Sequence, residues 1–239
     1  MQAEKLTVVY DNRSLDQQCT ADWGFGCVIQ TKQHCLLFDV GAKREILSSN
    51  MELLWVPDCS HIFLSHNHWD HTDGIEAALR PGLVCYIVPS AMETLGKRVL
   101  QLGGIPIATK AGEEILPGIW TTGEIDADPP EQGLVFKTSF GFVLITGCAH
   151  PGIVTMVKKV IELFGEPPTL VIGGFHWHEN SLKGVEREIQ DLKELGVKQI
   201  GPCHCTGDEQ IEIIKQKWGE GFHNIGAGWS LELKDLAYK

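Results

Sequence analysis

The sequence predicts an α/β protein, and three observations carry that prediction. Short β-rich apolar runs alternate with stretches that read as helices along the second half of the chain. Four times the chain passes from strand through a short loop to a histidine and on into a helix. With 239 residues and 43% hydrophobic composition, it can bury one large core. No low-complexity segment or Pro/Ser-rich linker interrupts it, so residues 1–239 read as a single domain.

The first half is strand-rich. Residues 6–10, 26–30 and 35–39 are short β-rich runs, the last two separated by the polar turn 31–34. Residues 45–54 read as a helix, and 62–65 as a strand. A helix over 72–80 is stopped by Pro81-Gly82. A strand at 84–88 and a helix at 91–100 follow. Further strands are expected between 104 and 139, with loops marked by Pro106, Pro117-Gly118 and Asp128-Pro129-Pro130.

From there the rhythm is regular. Strand 142–146 runs through Gly147 to His150 and helix 153–164. Strand 170–172 runs through Gly173-Gly174 to His176 and helix 182–195. Strand 199–200 runs through Gly201-Pro202 to His204 and helix 209–218, and strand 229–233 closes the chain. Ligand sites in α/β layouts collect beyond the carboxyl ends of strands, so histidines at four strand ends predict one shared cavity.

The densest chemistry is Ser65-His66-Asn67-His68-Trp69-Asp70-His71, three imidazoles and a carboxylate directly after the apolar run 61–64. Alternate side chains of an extended segment point the same way, so His66 and His68 can converge on one ion. Asp70 and His71 follow where the chain turns, and can face a second. Nitrogen and oxygen donors this close predict a metal site, where a solvated polar loop fails on density and position. His150 and His204 join as candidate ligands. His176 is open between ligand, substrate contact, proton shuttle and structural histidine, and His178 repeats the alternate spacing. Asp39 ends an apolar strand, where it either orients a ligating imidazole or stabilises a turn. Cys148 reads equally as a thiolate ligand or a buried thiol. Trp23-Gly24-Phe25-Gly26 lines a cavity mouth or forms an aromatic cluster at an exposed edge. His34, His61 and His223 lack such company.

The formal net charge of −11 disfavours nucleic acid, whose phosphates require Lys and Arg, and no basic stripe accompanies the site. It leaves room for a small anionic substrate held by a metal. No stretch approaches the roughly 18 apolar residues of a membrane span, so no membrane partner is expected. Residues 1–5 do not start a secretion signal, and the expected location is cytoplasmic. Eight cysteines in a chain of this size read as thiols rather than a disulfide framework. Nothing in the sequence speaks to oligomeric state.

The pattern resembles the metallo-β-lactamase superfamily. Its His-x-His-x-Asp-His hallmark is matched by His66, His68, Asp70 and His71, and its Phe-Asp-x-Gly element by Phe38-Asp39-Val40-Gly41. Within it, several segments are similar to the 7,8-dihydropterin-6-yl-methyl-4-(β-D-ribofuranosyl)aminobenzene 5′-phosphate synthase group. They are Thr122-Gly123-Glu124-Ile125, Thr146-Gly147-Cys148-Ala149-His150, Gly173-Gly174-Phe175-His176 and Pro202-Cys203-His204-Cys205-Thr206-Gly207.

The resemblance implies an αββα sandwich, two mixed sheets face to face with helices outside and metals at one sheet edge. It implies one or two divalent ions, zinc first with iron and manganese as alternatives. His66, His68 and His150 would hold one, and Asp70, His71 and His204 the other. Many relatives carry Gly-Asp where this chain has Gly147-Cys148, so Cys148 and His176 stay open as additional ligands.

The implied activity is that of a metallo-hydrolase acting on a phosphate or pyrophosphate ester, with Asp70 and His176 as catalytic side chains. Two ions would lower the pKa of a shared water from about 15.7 towards 7. One alternative is the synthase reaction, in which pyrophosphate leaves a dihydropterin as a bond to the aminobenzene forms. Another is a non-hydrolytic iron redox or metal-sensing protein, although no Gly-x-Gly-x-x-Gly follows a predicted strand.

Overall fold

The computed structural model of the chain describes residues 3–178 and 180–236. In chain order its strands are β1 (Ala3–Tyr10), β2 (Gly26–Thr31), β3 (Cys35–Phe38), β4 (His61–Phe63), β5 (Val84–Ile87), β6 (Ile105–Ala108) and β7 (Glu114–Leu116). They continue as β8 (Ile119–Thr121), β9 (Leu134–Thr138), β10 (Gly141–Thr146), β11 (Pro168–Gly174), β12 (Gln199–Cys203) and β13 (Ser230–Glu232). The helices are α1 (Arg44–Leu53), α2 (Trp69–Thr72), α3 (Lys97–Gln101), α4 (Ile153–Phe164), α5 (Leu182–Glu194) and α6 (Asp208–Trp218).

The strands form two mixed sheets, ordered β13-β1-β2-β3-β4-β5-β6 and β12-β11-β10-β9-β8-β7. β3 to β6 run parallel, as do β10 to β12, and the remaining pairs are antiparallel. Alternation along each strand explains the layers. Leu36, Phe38 and Phe63 of one sheet meet Leu134, Phe136, Val143, Ile145 and Ile172 of the other in the central core. Their neighbours Leu37 and Ile62 point outward to pack with Leu47 of α1 and Val99 of α3. On the other side Val135, Leu144 and Val171 face α4 and α5. Strands buried on both faces read as unbroken apolar runs. The helices show the matching one-sided stripe: Ile153, Met156, Val157 and Val160 are the buried residues of α4, three to four apart. The result is the αββα arrangement that the resemblance implies.

Several expected boundaries moved. The helix expected over 72–80 is only α2 followed by a 3₁₀ turn at Asp73–Ala77. Gly74 there lies against the Val40 carbonyl, too close for any side chain to intervene. The helix expected over 91–100 is broken by a π turn at Met92–Gly96, where the Thr94 hydroxyl donates to the Ala91 carbonyl. Pro106, expected in a loop, lies inside β6. That strand is the sheet edge, where a missing N–H leaves no ladder partner wanting. The chain after Glu232 turns into a 3₁₀ segment instead of extending the last strand to 233.

What matters for function is which ends coincide. β3 and β4 of one sheet and β10, β11 and β12 of the other all deliver their carboxyl ends to one edge of the sandwich. Asp39, His66, Cys148, His176 and His204 follow those ends.

Candidate metal centre

The loops at this edge are under backbone strain. Among the described residues, five non-glycine residues have positive φ, and four are Asp39, Ala149, His176 and His204, at +52°, +57°, +53° and +49°. Such conformations cost of order 1–3 kcal/mol each and persist where the surroundings over-determine them. Glycine is required in the same place: a Cβ on Gly147 would collide with the Ser65 hydroxyl and sit 3.1 Å from Asp39 Oδ2.

The imidazoles gather in two groups. His66, His68 and His150 present ring nitrogens within 4.8 Å of one another, with ring centroids 4.7, 4.9 and 4.8 Å apart. Asp70, His71 and His204 form a second such group. His71 Nε2 lies 3.1 Å from His204 Nε2, and Asp70 Oδ2 lies 3.8 and 3.3 Å from those two atoms. Thus the six candidate ligands from both halves of the chain are brought together. Asp39 lies against them, Cys148 Sγ is 3.2 Å from His71 Nε2, and exposed His176 is 4.6 Å ring to ring from His150. His178 stands beside His176, with Nδ1 3.1 Å from the Cys205 carbonyl. Trp23 covers His204 with ring centroids 5.3 Å apart.

Hydrogen bonds fix which nitrogen of each ring points inward. Asp39 accepts from Ser65 N through Oδ1, and from the Ser65 hydroxyl and His71 Nδ1 through Oδ2, at 2.8, 2.7 and 2.6 Å. Because the Ser65 hydroxyl donates to Asp39, its oxygen is left to accept from His66 Nδ1 at 2.8 Å. On the far side, Asn12 Oδ1 accepts from Gly24 N at 3.0 Å, which identifies it as the amide oxygen. It therefore accepts from His204 Nδ1, also at 3.0 Å. In His66, His71 and His204 the Nε2 lone pair is what faces the centre.

Two ring nitrogens of the first group lack partners. His66 Nε2 and His150 Nε2 are buried with no hydrogen bond. Burial keeps His66 neutral, its pKa far below the ordinary value, with repulsion from the neighbouring imidazoles adding to the effect. Burial and the nearby His176 and His68 likewise push His150 down to about 4. His71 is the exception: burial opposes its charge, yet Asp39 raises it to about 9. Burial also opposes the charge on Asp70, but the hydrogen bond with His204 and the charges on His71 and His204 hold it well below the usual carboxylate range. Once a metal displaces the Nε2 proton that Asp39 favours on His71, the imidazoles and one ionised carboxylate are a donor set for a divalent transition metal.

The comparisons with known proteins agree with this geometry. The chain is 30% identical over 242 residues to the 7,8-dihydropterin-6-methyl-4-(β-D-ribofuranosyl)-aminobenzene-5′-phosphate synthase of Methanocaldococcus jannaschii, covering 81% of this chain and 82% of that one. The chain belongs to the metallo-β-lactamase superfamily, in the same family as that synthase. Among solved structures, Tm1679, a metal-dependent hydrolase of the β-lactamase superfamily, superposes with a TM-score of 0.83. It is 25% identical, with 96% of this chain and 98% of that one covered. The Bacillus subtilis metallo-β-lactamase-fold protein YhfI gives 0.71 at 17% identity, over 96% and 99% of the two chains. No protein-family model matches the chain. The protein is thus an enzyme of that superfamily, with the fold of its metal-dependent hydrolases.

Members of the superfamily hold divalent metal ions at this sheet edge, and here the orphaned buried nitrogens and their neighbours fit such ions. Their supports extend to residues that the motifs do not reveal. Glu131 is fully buried and accepts four backbone N–H bonds. Oε1 takes those of Gly147, Cys148 and Ala149 at 3.0, 3.0 and 2.9 Å, and Oε2 that of His150 at 2.9 Å. Burial raises it to about 7 despite those donors. Asp11 plays a similar part for His204, whose N–H donates to Asp11 Oδ2 at 3.1 Å. The sequence carries a sign for Asp11-Asn12, since this pair ends an apolar strand as Asp39 does. For Glu131, in a Pro-rich turn, it carries none. All eight cysteines are buried thiols.

Proposed function

We propose that the chain is a metal-dependent hydrolase of a small anionic metabolite, a phosphate or pyrophosphate ester, working with two divalent ions, zinc in the first place. The observation that carries this reading is the approach of His71 Nε2 to His204 Nε2. Both rings already donate from Nδ1, to Asp39 and Asn12, so the two Nε2 atoms stand this close only with a cation between them, the proton that His71 holds when free of metal or the metal ion that displaces it. With Asp70 Oδ2 they form a triangle with edges of 3.1, 3.3 and 3.8 Å. Ligands at about 2.0–2.1 Å from a tetrahedral ion lie about 3.3 Å apart, which matches.

On this reading His66, His68 and His150 hold one ion and Asp70, His71 and His204 the other, with Cys148 a further donor. Such ions, when bound, supply an acidified water and polarise a phosphoryl oxygen. The protein's own contribution is positional. Asp39 aims His71 directly and His66 through Ser65, Asn12 aims His204, and Glu131 holds the loop carrying His150. Asp70 stays ionised beside the reacting atoms. His176, exposed next to His150, is placed to move a proton at the mouth.

A phosphate-bearing substrate is supported by the Methanocaldococcus relative, whose name specifies an aminobenzene 5′-phosphate product. That relative also favours a second reading, in which this chain condenses a pterin with an aminobenzene. Elemental analysis of the purified protein, followed by a panel of phosphodiesters, thioesters, lactones and pterin pyrophosphates, the last with and without an aminobenzene ribosyl phosphate, separates the readings. Stoichiometric zinc with hydrolysed ester is expected. A condensed pterin–aminobenzene product without ester hydrolysis would assign the synthase, and stoichiometric iron without any turnover would overturn both.

A further inference from the structure

The loops that bring histidines to the centre also bring two thiols, and the hydrolytic reading gives one of them no task. Cys148 follows β10 and Cys205 follows β12, and they are only 3% and 2% exposed. Their sulfurs and a ring nitrogen of His176, which follows β11, lie within 4.8 Å of one another. Three strands of one sheet therefore deliver two sulfurs and one imidazole to a common point. The backbone between them leaves room for this, because a Cβ on Gly174 would sit 2.6 Å from Cys205 Sγ and 3.2 Å from Cys148 Cα.

We propose that Cys148, Cys205 and His176 form a third cation site, which takes a soft divalent ion and leaves a fourth position towards solvent on the exposed His176 side. Two thiolates and an imidazole with one open position are a known zinc donor set. Tetrahedral ligands at the usual zinc–sulfur and zinc–nitrogen distances of about 2.3 and 2.0 Å stand roughly 3.5–3.8 Å apart, so closure requires only side-chain adjustments of about an ångström. Sulfur donors select zinc and other soft ions against magnesium, calcium and manganese.

The site shares an edge with the histidine cluster through Cys148, whose sulfur is 3.2 Å from His71 Nε2. The functional consequence rests on the hydrolytic reading: an ion here occupies the His176 nitrogen that would take up and release the proton, so occupancy slows turnover. The site itself does not depend on that reading.

The test is a cobalt(II) titration of the full chain, freed of metal and kept reduced. The expected result is a third bound equivalent, accompanied by sulfur-to-cobalt charge-transfer absorption. Cys205→Ser and, separately, His176→Ala should each lose that equivalent and most of the absorption while retaining the first two. His176 is exposed, so its variant tests the site even if Cys205→Ser fails to fold. Saturation at two equivalents overturns the proposal. So does charge-transfer absorption that is complete after the first two equivalents and undiminished in both variants, because Cys148 then serves the histidine centre alone. Three equivalents in a protein inactive on every ester would leave this site standing and remove the hydrolytic function.

Discussion

Asp39 Oδ2 accepts from His71 Nδ1 at 2.6 Å, with both side chains fully buried. The same oxygen accepts the Ser65 hydroxyl, which in turn accepts from His66 Nδ1. One carboxylate thus sets the orientation of an imidazole in each of the two ligand groups. Asp39 reaches this position because it leaves β3 with φ at +52°, turning its side chain across the sheet edge.

Asp39→Asn should therefore weaken both groups together. The NH₂ group must face either the Ser65 backbone N–H or the Ser65 hydroxyl and His71 Nδ1–H, so either the loop that carries Ser65 and His66 or the His71 ring loses its anchor. Loss of such an outer partner typically lowers metal affinity about 10–100-fold. Competition with a chromophoric chelator measures it, and wild-type affinity at both ion sites would reduce Asp39 to a turn residue.

Glu131→Gln should destabilise the fold and loosen His150. If the amide oxygen keeps the three N–H groups of Gly147, Cys148 and Ala149, its NH₂ must face the N–H of His150. A buried donor left without an acceptor costs about 1–3 kcal/mol. Urea unfolding should show a loss of that size, with weaker binding of the ion assigned to His150. Unchanged stability would mean the loop finds other acceptors.

The sequence made the local elements of this site legible and left the long-range supports dark. His66, His68, Asp70 and His71 announce themselves because their donors are close in the chain, and the strand-to-histidine rhythm places His150, His176 and His204 at one edge. Burial on both faces made β3, β10 and β11 readable as apolar runs. Glu131 could not be read, since its partners are backbone N–H groups that carry no residue identity. Asn12 reaches His204 across 192 positions, and no spacing rule spans such a gap. Helix ends failed where a tertiary contact outweighed local preference, as at Gly74 against Val40.

Acid should erode stability through His223, outside the site. This half-buried ring donates from Nε2 to Gln199 Oε1 at 2.6 Å, and burial lowers its pKa below the ordinary 6.5. As pH falls, the unfolded chain takes up the proton first. The stabilising effect of the neutral ring is therefore present above about 6.5 and lost below it, at a slope of up to about 1.4 kcal/mol per pH unit. Unfolding curves at pH 7.5 and 5.5 for wild type and His223→Gln should differ in that dependence, the variant being flatter. Equal dependence would show that His223 titrates alike in both states.

Metal removal should lower the melting temperature, because the ligand groups are arranged at the expense of stability. His66 Nε2 and His150 Nε2 are buried without partners, and His71 Nε2 faces His204 Nε2. Each unmet buried group costs about 1–3 kcal/mol, so the chain gains when a cation satisfies them. An ion at a thousand times its dissociation constant adds about 4 kcal/mol. For a chain of 239 residues each kcal/mol corresponds to about 2–4 °C, so reloading zinc into chelator-stripped protein should raise the transition by roughly 10 °C. Magnesium, which prefers oxygen ligands, should do far less. Differential scanning calorimetry across a zinc series measures the shift. A transition that ignores zinc while the protein stays folded would mean that these imidazoles hold no ion.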